Sequence, residues 1–74
     1  MIQWEEEKDL HIRGSSEFGQ LWIRLNRQRI PTGIYTMFGK TRKFVPGEND
    51  TIEDSKVIAE IAVENEKYLR EVLP

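Results

Sequence analysis

The sequence predicts a small α+β fold, in which an antiparallel sheet of three to four strands, a meander with a hairpin, is covered on one face by a C-terminal helix. Before residue 47, apolar and polar residues alternate in short runs separated by glycine and proline, which is typical of strands. After residue 50, apolar residues recur at helical spacing, with no glycine or proline until Pro74. We expect one small domain over 1–74, strand-rich over 1–46, with a loop at 47–50 and a helix at 51–72.

The helix has a start signal and an apolar stripe. Thr51 followed by Asp54 approximates a capping box, in which the threonine hydroxyl accepts a hydrogen bond from the backbone three residues later. The apolar stripe predicted to pack on the sheet comprises Ile58, Ile61, Ala62, Leu69 and Val72. Asn65 interrupts this stripe. It is either a partly exposed side chain or a polar device that fixes register at a helix interface.

A hairpin precedes the helix. Two runs of strand-forming residues, 34–38 and 41–45, are separated by Gly39-Lys40, which fits a two-residue type II′ turn. In that register Tyr35 faces Phe44, so both lie on the sheet face opposite the helix. Pro46 and Gly47 end the hairpin.

The earlier strands are less clearly marked. Residues 15–29 fit either a strand, in which Leu21, Ile23 and Leu25 alternate with polar or amphipathic neighbours, or a capped helix; the tight alternation favours the strand. Residues 10–13 predict a further short strand that ends at Gly14-Ser15-Ser16, and 31–33 separate the central strand from the hairpin. The N-terminal Ile2 and Trp4 either pair at an edge or pack over the core.

Charge is distributed unevenly along the chain. The segment from Phe18 to Gly47 contains six cations and five of the seven aromatic residues but no carboxylate, whereas acidic residues flank it on both sides. Cations interleaved with aromatics suit phosphates and bases, and they suit an acidic protein partner equally well. The candidate binding residues are Trp22, Arg24, Arg27, Arg29, Tyr35, Lys40, Arg42, Lys43 and Phe44.

The sequence contains few of the residues that catalytic and metal-binding sites most often use. There is no cysteine and a single histidine, His11, which we expect to be an outward strand residue. Gly39-Lys40-Thr41 resembles the end of a phosphate-binding loop, but that motif requires glycine at position 34, which is isoleucine here. The sequence therefore predicts a protein that is not an enzyme and has no catalytic residues, bound metal or cofactor.

These observations favour a small, non-catalytic regulatory binding protein. Its partner is predicted to be a protein with an acidic surface, which it regulates or inhibits; the alternative is DNA or RNA bound by the same face. A more ordinary explanation is that the arginines protect exposed strands and that residues 5–9 fold over Arg24 or Arg42. No signal or membrane segment is predicted, so the expected location is cytoplasmic. A homodimer is left open, because a domain of this size has a small core.

Overall fold

The computed structural model describes residues 1–47 and 51–72, and in them the chain forms five strands followed by one helix. Its elements are β1 (Gln3–Trp4), β2 (His11–Ser16), β3 (Gly19–Leu25), β4 (Pro31–Phe38), β5 (Thr41–Pro46) and α1 (Ile52–Val72). The strands form one antiparallel meander in the order β1-β2-β3-β4-β5. The predicted α+β class is confirmed. The predicted number of strands, three to four, is wrong, because the N-terminal residues pair with β2. Of the predicted loop at 47–50, only Gly47 lies within the described residues.

The central strand and the hairpin form as the alternation pattern predicts. Residues 19–25 are a strand, not a helix. The odd positions from Leu21 to Leu25 form a buried face, and the even positions form a more exposed one. In the hairpin Tyr35 pairs with Phe44, and Ile34 pairs with Val45. Gly39 has a φ of 65°, the positive value that the first central position of a type II′ turn requires.

Two of the predicted strand boundaries are wrong, and close packing explains one of them. Gly14 does not end β2. It lies inside the strand. Glycine is required there for packing, since a Cβ would be only 2.6 Å from Ile2 and 2.7 Å from Trp4, which fill that space. Residues 31–33 do not separate β3 from β4; they begin β4, where Pro31 pairs with Leu25 at a register shift. Proline is tolerated as the first residue of a strand.

The helix begins as its capping signal predicts. The Oγ1 atom of Thr51 accepts a hydrogen bond from the backbone N–H of Asp54 at 3.0 Å, and the Thr51 carbonyl accepts one from Ser55. These bonds satisfy N–H groups of the first helical turn that have no partner within the helix.

The core lies between α1 and the inner face of the sheet. The sheet contributes Leu21, Ile23, Leu25 and Ile34, as predicted, joined by Ile2 and Ile12. The predicted helix contribution is wrong. The buried helix residues are the small Ser55, Ala59 and Val63, at most 2% exposed, whereas Ile58, Ile61, Leu69 and Val72 are exposed.

The size of the helix residues explains this inversion. Small side chains at i, i+4 and i+8 form a narrow strip that lets the helix backbone approach the sheet closely, where Leu21 and Ile23 already fill the interlayer space. Hydrophobicity alone favours the opposite face of the helix. The consequence is that α1 carries most of its large apolar side chains on its outer surface, whereas Ile52 in the first turn packs against the core.

Candidate binding surface

The sheet face opposite α1, which we call the outer face, carries one continuous row of large side chains. Arg13, Trp22, Tyr35 and Phe44 are paired in register across β2, β3, β4 and β5. Alternation along each strand places them on the face opposite the neighbouring register row, whose members Ile12, Ile23 and Ile34 are buried. A cation followed by three aromatic rings therefore crosses four strands.

The two rings at the β5 end are in direct contact. The centroids of Tyr35 and Phe44 lie 4.4 Å apart with an angle of 36° between the ring planes. Gly33 makes room for this arrangement, because the Phe44 ring occupies the space that a Cβ at position 33 would need. Phe44 remains 41% exposed, so the stacked pair keeps an accessible apolar surface.

Two predicted cations flank this aromatic row. Arg24 lies next to Trp22 on the outer face of β3. Arg42 lies opposite Met37, and this pair is two residues along the strands from Tyr35 and Phe44. Both arginines are exposed. Within residues 1–47 and 51–72, neither arginine has a carboxylate at ion-pair distance. Among the described residues, no carboxylate competes with an incoming anionic group for these guanidinium groups.

Arg13, by contrast, already has an acidic partner. Its Nε atom donates a hydrogen bond to Oε2 of Glu5, which lies on the segment that follows β1. This bond holds the pKa of the Glu5 carboxyl below its usual range, and it raises the pKa of Arg13. Arg13 was missed from sequence because it lies outside the basic segment, although its odd position in β2 shares the outer face with Trp22.

The segment between β1 and β2 forms an acidic border along one side of the outer face. This segment, together with Trp22 and Tyr35, lines an open depression of about 640 Å³. The other side chains that line it are Glu5, Glu6, Lys8, Asp9, His11 and Arg13. A smaller depression of about 180 Å³ adjoins it around Met37 and Arg42. The acidic segment does fold towards arginines, but it pairs with Arg13 and Arg29 and not with the expected Arg24 or Arg42.

The other predicted cations do not join the outer-face cluster. Arg27 and Arg29 lie in the loop between β3 and β4, where Arg29 Nη2 donates a hydrogen bond of 2.6 Å to Glu7. Lys40 lies in the β4–β5 turn, at the opposite end of the strands. Lys43 pairs with the buried Thr36, so it lies on the helix side of the sheet. Trp22, Arg24, Tyr35, Arg42 and Phe44 are the candidates that share one surface.

The described chain offers few features of other functional classes. His11 is an exposed residue of β2, as predicted, and its Nδ1 atom lies 2.9 Å from the carbonyl oxygen of Asp9. Over residues 1–47 and 51–72, no cluster of three potential metal ligands occurs, and no helix is sufficiently long and apolar to cross a membrane. Compared with known proteins, the chain matches no family model, no curated protein and no solved structure.

Proposed function

We propose that this protein is a non-catalytic regulator or inhibitor that binds a partner protein through its outer sheet face. The observation that carries the proposal is the row formed by Arg13, Trp22, Tyr35 and Phe44. Tryptophan, tyrosine and arginine are the residues most enriched among interface hot spots, and here they lie side by side on a rigid sheet. Rigid aromatics bind at a low cost in conformational entropy.

The charges around the row favour a protein over a nucleic acid. Glu5, Glu6 and Asp9 border the depression next to Trp22 and Tyr35. A phosphate backbone that tracked across this face would meet those carboxylates, and their repulsion would offset part of the attraction to the arginines. A partner protein, unlike a phosphate backbone, can place cationic groups next to this acidic border and anionic groups next to the arginines.

The partner surface is expected to have three chemical parts. Apolar side chains cover Tyr35, Phe44 and Met37, and carboxylates meet the guanidinium groups of Arg24 and Arg42. A basic or hydrogen-bonding group faces the acidic border. Such a mixed surface gives specificity through charge matching, while the aromatic row supplies most of the binding free energy.

Affinity purification from host extract with matched baits tests this proposal. The baits are the unmodified protein, an Arg42→Glu variant and a Lys67→Glu variant, which makes the same charge change on an exposed residue of α1. The expected result is a stoichiometric protein that the unmodified and Lys67→Glu baits recover and the Arg42→Glu bait loses. Recovery that is equal for all three baits would contradict the role of the outer face.

A nucleic acid is the second candidate for the same face. The observation that favours it is the combination of Arg24 and Arg42, which have no acidic partner within the described residues, with aromatic rings able to stack on bases. An Arg24→Ala/Arg42→Ala variant that kept full affinity for DNA and RNA would remove this candidate.

A further inference from the structure

The outer surface of α1 carries six large apolar side chains that the fold does not cover. They are Val57, Ile58, Ile61, Tyr68, Leu69 and Val72, which are between 37% and 61% exposed. Because the core uses the strip formed by Ser55, Ala59 and Val63, most of this second stripe lies away from the sheet, while Leu69 at its edge borders the groove between α1 and β5. No residue of this stripe belongs to the buried core of the domain.

The stripe has the spacing of a helix–helix seam. From Ile58 onwards, its central residues follow one another at intervals of three, four, three and four: Ile58, Ile61, Asn65, Tyr68 and Val72. In heptad terms Ile58, Asn65 and Val72 occupy a positions, and Ile61 and Tyr68 occupy d positions. β-Branched residues at a favour two-stranded pairs when leucine occupies d, but here d holds Ile61 and Tyr68. The preference for two chains in register therefore rests on the single asparagine at a, which specifies register and partner number.

The exposed area has the size of an interface patch. With roughly 100 Å² for a fully exposed aliphatic side chain and about 200 Å² for tyrosine, the six residues present about 400 Å² of surface per copy. That lies within the range of the largest patches that monomers expose, which are often functional. Two such stripes packed together would bury about 800 Å², and the polar residues that flank them would bring the total towards the size of a specific interface, about 1,200 Å² or more.

The charges beside the stripe differ on its two sides. One side has a net negative charge, with Glu60, Glu64 and Glu71 against the single cation Lys67. The other side borders a groove of about 310 Å³ between α1 and β5, where Lys43 lies opposite Asn65 and Leu69. Glu66 also lines this groove, but its carboxylate is paired with Arg70. In a parallel pair related by a two-fold axis along the helices, the acidic side of each copy faces the Lys43 side of the other. In an antiparallel pair, acidic side faces acidic side.

We infer that two copies of this chain associate through α1, with their helices parallel and in register. Both the charge pattern and Asn65 point to this arrangement, since a parallel pair brings the two Asn65 amides together, where they can hydrogen-bond to each other. The interface is isologous, and it leaves the outer sheet face of both copies open. It is independent of the partner proposed for that face.

Sedimentation equilibrium of the full chain over a wide concentration range tests the association. The expected result is a reversible dimer that becomes monomeric in an Ile61→Glu variant. The control is Ile30→Glu, which makes the same change at an exposed site in the β3–β4 loop and is expected to remain dimeric. A monomer at every concentration, or a dimer that Ile61→Glu leaves unchanged, would overturn the inference. Since Ile61 is 61% exposed, circular dichroism should show an intact fold in the variant.

Disulfide trapping tests the orientation, and the absence of cysteine from the sequence makes the readout clean. In a parallel pair the two copies of a Val72→Cys variant meet across the seam and form a disulfide on mild oxidation. In an antiparallel pair centred on Asn65 the same residues lie about 20 Å apart, too far to be bridged. When Ile58→Cys and Val72→Cys chains are mixed, we expect disulfides only between two copies of position 58 or between two copies of position 72. Cross-links between positions 58 and 72 would refute the parallel arrangement.

Discussion

The ring of Phe44 lies over Gly33, where its Cε1 atom would be 2.5 Å from a Cβ on that glycine. This contact allows Phe44 to stack against Tyr35, the residue directly opposite it in the β4–β5 pair. A backbone position without a side chain thus forms part of the candidate binding surface. The observation connects the choice of one glycine in β4 to the accessible shape of the aromatic row.

Replacement of Gly33 by alanine is expected to displace the Phe44 ring and to cost about 1 kcal/mol of stability, because overpacking forces neighbouring side chains to shift. Urea unfolding measures the cost, and the NMR signals of the Tyr35 ring report the displacement. In a Phe44→Ala background the same Gly33→Ala change should cost much less, since the two sites share one contact. Equal costs in both backgrounds would show that the ring does not occupy this position.

Gly14 has the corresponding role on the inner face. A Cβ there would lie 2.6 Å from Ile2 and 2.7 Å from Trp4, so Gly14→Ala is expected to push β1 away from β2. The expected loss is about 1–3 kcal/mol in the free energy of unfolding. Hydrogen exchange of the Glu5 amide, which donates to the Arg13 carbonyl, should become faster. Ser15→Ala, at the exposed neighbour, is the control; a loss of similar size there would contradict the packing argument.

Two valines of α1, one buried and one exposed, allow a direct test of which face of the helix packs on the sheet. Val63 is 2% exposed and Val57 is 59% exposed, so the same truncation to alanine removes the same atoms from two environments. We expect Val63→Ala to lower the free energy of unfolding by about 2 kcal/mol and Val57→Ala by less than about 0.5 kcal/mol. The measurement is denaturant unfolding at a protein concentration low enough for monomers to predominate. The reverse ranking would mean that α1 packs with the face that hydrophobicity alone favours.

The contact between Glu5 and Arg13 predicts a pH effect. Since the pKa of Glu5 is lowered in the folded protein, its ionised form binds Arg13, and the resulting stabilisation is present above the pKa of the unfolded chain. That stabilisation is lost as the pH falls through the folded pKa. An NMR titration of the Glu5 carboxyl should show its pKa rising towards the ordinary value in Arg13→Gln, and remaining low in Arg29→Gln. A Glu5 pKa that is unchanged by Arg13→Gln would refute the contact.

The alternation of apolar residues was sufficient to predict the fold class, the central strand and the register of the hairpin. It also identified Trp22, Arg24, Tyr35, Arg42 and Phe44 as members of one face. It did not identify the buried side of α1, because the core selects the small Ala59 and Ser55 for their size, and periodicity counts only hydrophobicity. The charge pattern, in contrast, grouped Lys43 with Arg42 as candidate binding residues, although neighbouring strand residues point to opposite faces.

The contact between Arg13 and Glu5 could not be predicted for a different reason. It depends on the pairing of a two-residue strand, β1, which is too short to show a period. The acidic border beside Trp22 follows from that pairing, and it is the feature that favours a protein partner over a nucleic acid. Local sequence patterns carry no information on which distant segment borders a sheet face.

Binding of fluorescent DNA and RNA, single- and double-stranded, across a salt series most directly tests the claim that the outer face serves a protein partner. We expect weak binding at low salt that disappears at physiological ionic strength, because the acidic border offsets Arg24 and Arg42. Tight binding at physiological salt, with log K falling steeply against log salt and lost in Arg24→Ala/Arg42→Ala, would contradict a protein-binding role and assign the face to nucleic acid.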